Sequence, residues 1–192
     1  MKQRLVIAIT GSSGAIYGVR LLQFLQSQSE IETHLVVSPG ACRTLQEEMG
    51  LSESQVIALA DVYYPCQDVG AAIASGSFKT MGMVITPCSI RTLSAVACCN
   101  NDNLISRAAD VTLKERRRLL LLLRETPLHS GHLRLMQQVT DAGGIVMPAA
   151  PGFYHHPSSI EELVDHLLLR VLDLMGIEAD SLSRRWDGGA SS

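Results

Sequence analysis

Residues 5–18 read LVIAITGSSGAIYG: an apolar run, 5–9, that gives way within two residues to glycine and serine. Apolar side chains at consecutive rather than alternate positions fit a strand buried on both faces, as in a parallel sheet. The small residues behind it form a turn in which backbone N–H groups and the N-terminus of the next helix can approach a bound group closely. GSSGA is neither GxGxxG nor a Walker loop, so by itself it reads equally well as a tight turn or as a phosphate-binding one.

Working outward, the same rhythm returns. Apolar runs recur at 31–37, 83–85, 119–123 and 145–147, each separated by enough chain for a helix. Two of the intervening helices are legible from their spacing: 15–25, with Leu21, Leu22 and Leu25, and 160–175, with Leu163, Leu167, Val171 and Leu174. The pattern predicts an α/β fold with a doubly wound parallel sheet. We expect one domain over residues 1–177 and a C-terminal tail over 178–192, ending DGGASS.

The bulk properties bound the function. With 192 residues, 46% of them hydrophobic, the chain can bury one substantial core. A formal net charge of −3 provides no field to attract nucleic acid. No stretch approaches the roughly 18 apolar residues of a membrane helix, and the apolar part of MKQRLVIAIT is too short for a signal peptide, so a cytoplasmic location is expected. The five cysteines are odd in number and lack a CxxC pair, which fits reduced thiols better than a disulfide framework or a structural zinc site.

In a doubly wound sheet, ligands bind beyond the carboxyl ends of the strands. Those ends carry TGSSGA, SPGA, TPCSIRTLS, RETP and PAAPGFYHHP, all rich in glycine, proline, hydroxyls or charge. Their convergence favours an anionic ligand. Cations are available: Arg124 follows five leucines at a strand end beside Glu125, Arg107 and Lys114 share a face if their segment is helical, and Arg170 falls on the stripe of the last helix expected to face the core. A charge there is either paired structurally or used on a ligand. Arg116, Arg117 and Arg118 read as a solvated turn. His129 with His132, and His155 with His156, lack the neighbours that would complete a metal set, so no metal is expected. Cys98 and Cys99 read as core packing at a helix end, and Cys88 as packing beside the ligand loop rather than as a nucleophile.

Taken together and in order, TGSSGAIYGVRLL, SGSF, PCSIRTLSAV, RAADVTLKERR, RETPLHSGHLRLM and PAAPGFYHHP closely resemble the UbiX-type flavin prenyltransferases, formerly grouped as phenylacrylic acid decarboxylases, over nearly the whole chain. The resemblance implies a flavodoxin-like (Rossmann-like) three-layer sandwich. It also implies transfer of a dimethylallyl group from dimethylallyl phosphate to N5 and C6 of reduced FMN, giving a product used by a UbiD-type decarboxylase. FMN contacts are implied at Gly11, Ser12, Ser13, Ser38, Ser89, Ile90, Arg91, Thr92 and Arg124. Prenyl phosphate contacts are implied at Tyr154 and Arg170, with Arg107 and Lys114 as further cations. Glu48, Ser13 and Glu125, with Lys114, are the implied proton-handling and catalytic set, and the implied assembly is a homododecamer with sites completed between subunits. The family commonly has Lys where this chain has Pro39, a residue suited to a first helical turn. Two alternatives stay open: an accessory flavin-carrying subunit of a hydroxyarylic acid decarboxylase, and an FMN-dependent cysteine decarboxylase.

Overall fold

Five leucines in succession, residues 119–123, favour a helix on intrinsic propensity, yet they form a strand because both faces of that strand are covered. The structure, a computed structural model, describes residues 2–183, so most of the expected tail, DGGASS included, lies outside the described residues. The chain divides into two compact units, one up to Pro148 and one from Ala149 onward.

The first unit holds six parallel strands: β1 (Gln3–Ile9), β2 (Ile31–Val37), β3 (Val62–Tyr64), β4 (Gly82–Cys88), β5 (Arg118–Leu123) and β6 (Ile145–Pro148). Their order is β3-β2-β1-β4-β5-β6. Apart from the three-residue edge strand β3, this is the flavodoxin-like order, and the direction of winding reverses between β1 and β4. The helices are α1 (Ala15–Leu25), α2 (Pro39–Met49), α3 (Glu53–Ile57), α4 (Ile90–Ala97), α5 (Leu104–Lys114) and α6 (Ser130–Asp141). On one face of the sheet, Val6, Ala8, Met83, Ile85, Leu119 and Leu121 pack against Leu93, Leu104, Ala108 and Val139 of α4, α5 and α6. The alternate residues Leu5, Ile7, Ile9, Leu120 and Leu122 are as fully buried, and α1 covers that side so closely that a Cβ on Gly18 would stand 2.6 Å from the Thr86 carbonyl oxygen.

The second unit contains α7 (Ile160–Met175). Its start is well capped: Ser159 accepts from the Glu162 N–H at 3.1 Å, and Glu162 accepts in turn from the Ser158 N–H at 2.6 Å and hydroxyl at 2.9 Å. It ends at Gly176 with φ 76°, the left-handed conformation glycine adopts without cost. Among the described residues, no helix is long and apolar enough to cross a membrane.

Four expectations need correction. Arg170 does not lie on the buried stripe of α7: its side chain is 58% exposed, and it is paired with Asp173 at 3.0 Å. Of the expected stripe, Leu167 and Val171 are buried but Leu163 and Leu174 only half-buried, and the buried face also takes in Val164, Leu168, Leu172 and Met175. Cys98 and Cys99 are both exposed, because α4 ends at Ala97 and the chain turns there, with Cys99 at φ 52°. Arg117 is no solvated turn residue: its guanidinium donates to the carbonyls of Phe78 at 2.8 Å and Gly76 at 2.6 Å. Arg118 is already the first residue of β5.

Candidate functional site

Thr10 follows directly on β1 at the reversal of strand order and ties the ends of β1 and β4 together. It is 1% exposed; its N–H and its hydroxyl both donate to the Pro87 carbonyl, at 3.2 and 2.7 Å, and its hydroxyl oxygen accepts from the Ser89 N–H at 2.8 Å. Beyond this lacing the carboxyl ends open into a cavity of about 780 Å³, within the range of small-molecule and cofactor sites. Its walls come from the loops after β1 (Gly11), β2 (Ser38, Pro39, Gly40), β3 (Cys66, Gln67), β4 and α4 (Ser89 to Thr92, Ser94, Ala95, Cys98), the lead into α5 (Asn100 to Ser106, in part) and β5 (Glu125).

Three helix N-termini open onto this cavity, and each is capped by a side chain. Ser38 accepts from the Ala41 N–H at 3.2 Å above α2, with Pro39 in its first turn as the sequence suggested. Ser89 accepts from Thr92 at 3.3 Å above α4, and Asn103 from Ile105 and Ser106 at 2.9 and 3.1 Å above α5. Their aligned N–H dipoles make the cavity favourable for phosphate. The small residues of the opening stretch have separate tasks. A Cβ on Gly11 would stand 2.8 Å from the Gly40 backbone, so only glycine lets the β1 loop meet the first turn of α2. Gly14, at φ 98°, is the N-cap of α1 and has no side chain to cap with. Glu48, near the end of α2, supplies the missing acceptor: its Oε2 accepts from the N–H groups of Gly14 at 2.9 Å and Ala15 at 3.0 Å. Burial works against the Glu48 carboxylate, but the Ser13 hydroxyl, these two N–H groups and the charge of Arg124 outweigh it and hold its pKa below the usual glutamate range.

Of the residues expected at the site, Gly11, Ser38, Ser89, Ile90, Arg91, Thr92 and Glu125 line the cavity. Ser13, Glu48 and Arg124 form a second group around the α1 N-terminus. The Ser12 hydroxyl is buried and has no hydrogen-bond partner among the described residues, a donor left over for a ligand. Arg107 is paired with Asp110 at 3.2 Å, close to the cavity end of α5. Lys114 is not brought there: it sits at the opposite end of α5, beside Glu115 and the Gly76 loop. Tyr154 and Arg170 belong to the second unit, where both neighbour His166, which pairs with the tyrosine hydroxyl and feels the charge of the arginine. Cys88 is fully buried, and burial pushes its thiol far above the ordinary cysteine range, as a packing role requires. Sequence reasoning missed Thr10, Cys66, Gln67 and the stretch before α5; an asparagine just ahead of the apolar Leu104 and Ile105 was the available N-cap signal.

Comparison with known proteins bears directly on this geometry. The Flavoprotein family profile matches residues 1–168. The flavin prenyltransferase UbiX of Escherichia coli strain K12 is 52% identical over 187 residues, spanning 97% of this chain and 99% of that protein. This chain belongs to the UbiX flavin prenyltransferase family. Within the family, the crystal structure of AnUbiX (PadA1) with FMN and dimethylallyl pyrophosphate superimposes with a TM-score of 0.95 at 45% identity, covering 98% of this chain and 99% of that one. A dodecameric FMN-dependent UbiX-like decarboxylase from Escherichia coli O157:H7 matches with a TM-score of 0.94 at 43% identity, covering 97% and 100%. A PPC decarboxylase is only 18% identical, with a TM-score of 0.63, and shares the fold alone. The cavity of this family member fits FMN on its own features: three capped helix N-termini, a glycine cradle that a Cβ would fill, and the orphaned Ser12 hydroxyl.

Proposed function

We propose that the protein transfers a dimethylallyl group from dimethylallyl phosphate to N5 and C6 of reduced FMN, and that a UbiD-type decarboxylase uses the product. The observation that carries this reading is the meeting of Gly11, Ser38, Ser89, Ile90, Arg91 and Thr92, the flavin contacts implied by the family, at one cavity ringed by helix N-termini. Reduced FMN, when bound, supplies the nucleophilic positions that accept the prenyl group. The backbone N–H groups at the starts of α2 and α4, with the Ser12 and Ser13 hydroxyls and Arg124, hold its phosphate and polar edge.

The remaining residues manage charge and protons. Loss of phosphate from an allylic carbon leaves a delocalised cation, so the leaving group needs positive charge around it and an acid nearby. The family resemblance supports Tyr154 and Arg170, in the second unit, as holders of the prenyl phosphate, and Arg107 and Lys114, in the first, as further cations for it. Lys114 stands at the far end of α5 from the cavity of its own chain, which supports its delivery by a neighbouring copy in a homododecamer. Glu125, on the cavity wall, donates a proton to the departing phosphate. Glu48 is ionised at neutral pH and already accepts from Ser13, so it is ready to take the proton lost when the new ring closes.

The deciding experiment is anaerobic incubation of the FMN-loaded protein with a reductant, offering dimethylallyl phosphate in one arm and the pyrophosphate in another, with a chelator present. The flavin mass rises by one five-carbon unit with the monophosphate. An unchanged flavin mass in both arms rejects the transferase reading and leaves the accessory flavin-carrying subunit in its place. In the same assay Glu125→Gln keeps both ligands and slows the single-turnover rate by about 10²–10⁴-fold, the usual worth of a general acid; a wild-type rate removes Glu125 from that role.

A further inference from the structure

The unit from Ala149 onward buries a histidine that this chemistry leaves unused. His166, on α7, is 5% exposed, and both of its ring nitrogens are engaged: Nε2 lies 2.8 Å from the Tyr154 hydroxyl and Nδ1 3.4 Å from the Ser183 hydroxyl. His155 stacks on the ring with centroids 3.9 Å apart at 20°, and Tyr154 meets it edge-on at 5.3 Å. Both nitrogens of His155 are buried without a hydrogen-bond partner among the described residues, so His155 acts on its neighbour as a flat wall that fixes the ring plane. Burial, then the neighbouring His155 and the charge of Arg170, pushes His166 below the ordinary histidine range. Its imidazole is therefore neutral at neutral pH and carries one ring proton.

Which nitrogen holds that proton decides what Tyr154 can do. If Nδ1 carries it, Tyr154 must donate to Nε2, and the tyrosine presents only lone pairs to an anion. If Nε2 carries it, Ser183 donates to Nδ1, Nε2–H donates to the tyrosine oxygen, and the tyrosine proton is directed onward. Hydrogen bonds aligned in one direction polarise one another, so the second arrangement also makes Tyr154 the stronger donor. We propose that His166, in its Nε2–H tautomer, is a positioning residue that turns the Tyr154 hydroxyl into a donor toward the prenyl phosphate. The inference rests on Tyr154 being a phosphate ligand, as proposed above. Ser183 falls within the segment expected to be a tail, so the end of the chain also takes part in this relay.

The test uses the FMN-loaded, reduced protein and measures KM for dimethylallyl phosphate alongside FMN affinity and thermal stability. Tyr154→Phe raises KM by about tenfold or more, the scale of a lost hydrogen bond to a charged group, and leaves FMN affinity unchanged. His166→Leu raises KM to a similar extent, His166→Gln, whose amide N–H replaces Nε2–H, stays within about twofold of wild type, and His166→Leu adds nothing further in a Tyr154→Phe background. A wild-type KM for Tyr154→Phe removes the tyrosine from the phosphate site and this inference with it. A raised KM for Tyr154→Phe beside a wild-type KM for His166→Leu, or effects that multiply in the double variant, overturns the role of His166 alone. If His166→Leu does not fold, solid-state ¹⁵N spectra of the wild-type holoprotein decide: the Nε2–H tautomer of His166 upholds the relay, and the Nδ1–H tautomer overturns it.

Discussion

Glu48 has two demands on one carboxylate. It caps α1 in place of the side chain that Gly14 lacks, and it is the group proposed to take the ring proton. Because its folded pKa lies below the ordinary value of 4.5, its charge contributes stability above that pH, and the contribution is lost as pH falls through the folded value. Glu48→Gln mimics the protonated side chain. At pH 7 it is expected to be less stable by about 0.5–1 kcal/mol, the low end of a capping effect given the exposure of Glu48, or about 1–4 °C in melting temperature. The gap narrows in melting curves as pH falls below 4.5 and closes below the lowered folded value, where the folded wild type protonates too. Transfer by the variant falls by about 10²–10⁴-fold at neutral pH, since an amide cannot accept the proton. A gap that widens on acidification contradicts the assigned cap. None of this was legible in EEM, residues 47–49, read alone: the partner of Glu48 lies more than thirty residues away, and only the folded chain brings them together.

Among the elements, the lacing of β1 to β4 by Thr10 fixes the mouth of the cavity. Thr10→Val keeps the shape of the side chain but removes the acceptor for the Ser89 N–H and one donor to Pro87. Leaving a buried donor unpaired costs about 1–3 kcal/mol, so the variant is expected to unfold earlier in urea and to bind FMN more weakly through the displaced start of α4. Unchanged urea midpoint and FMN affinity discard the lacing. The long elements were open to sequence reading. The bounds of α1, β2 and α7 come out as their periodicity states, and β5 was signalled by 119–123, because burial on both faces leaves a continuous apolar run. Short or weakly apolar elements were not: β3 has only three residues, and α2 buries only Ala41 and Leu45. Arg170 shows a subtler limit, since helical spacing locates a face only to within a residue on either side, and here that residue separates the core from the surface.

For the whole molecule, the assembly is the open expectation. Light scattering is predicted to show a homododecamer, and Lys114→Ala is predicted to keep that mass and FMN binding while weakening dimethylallyl phosphate. Full activity from a stable monomer contradicts delivery of Lys114 by a neighbour. The division of the chain at Pro148 reaches further than assembly. Every flavin contact expected from the family precedes that residue, and Tyr154, His166 and Arg170 all follow it. The implied flavin contacts therefore lie wholly in the first stretch of sequence, whereas the implied donor contacts span both, since Arg107 and Lys114 precede Pro148 while Tyr154 and Arg170 follow it. Natural variation after Ala149 is predicted to alter the Tyr154 and Arg170 share of donor binding without touching any implied flavin contact, and a chain recombined between Pro148 and Ala149 is expected to keep its FMN affinity while its KM for the allyl donor shifts.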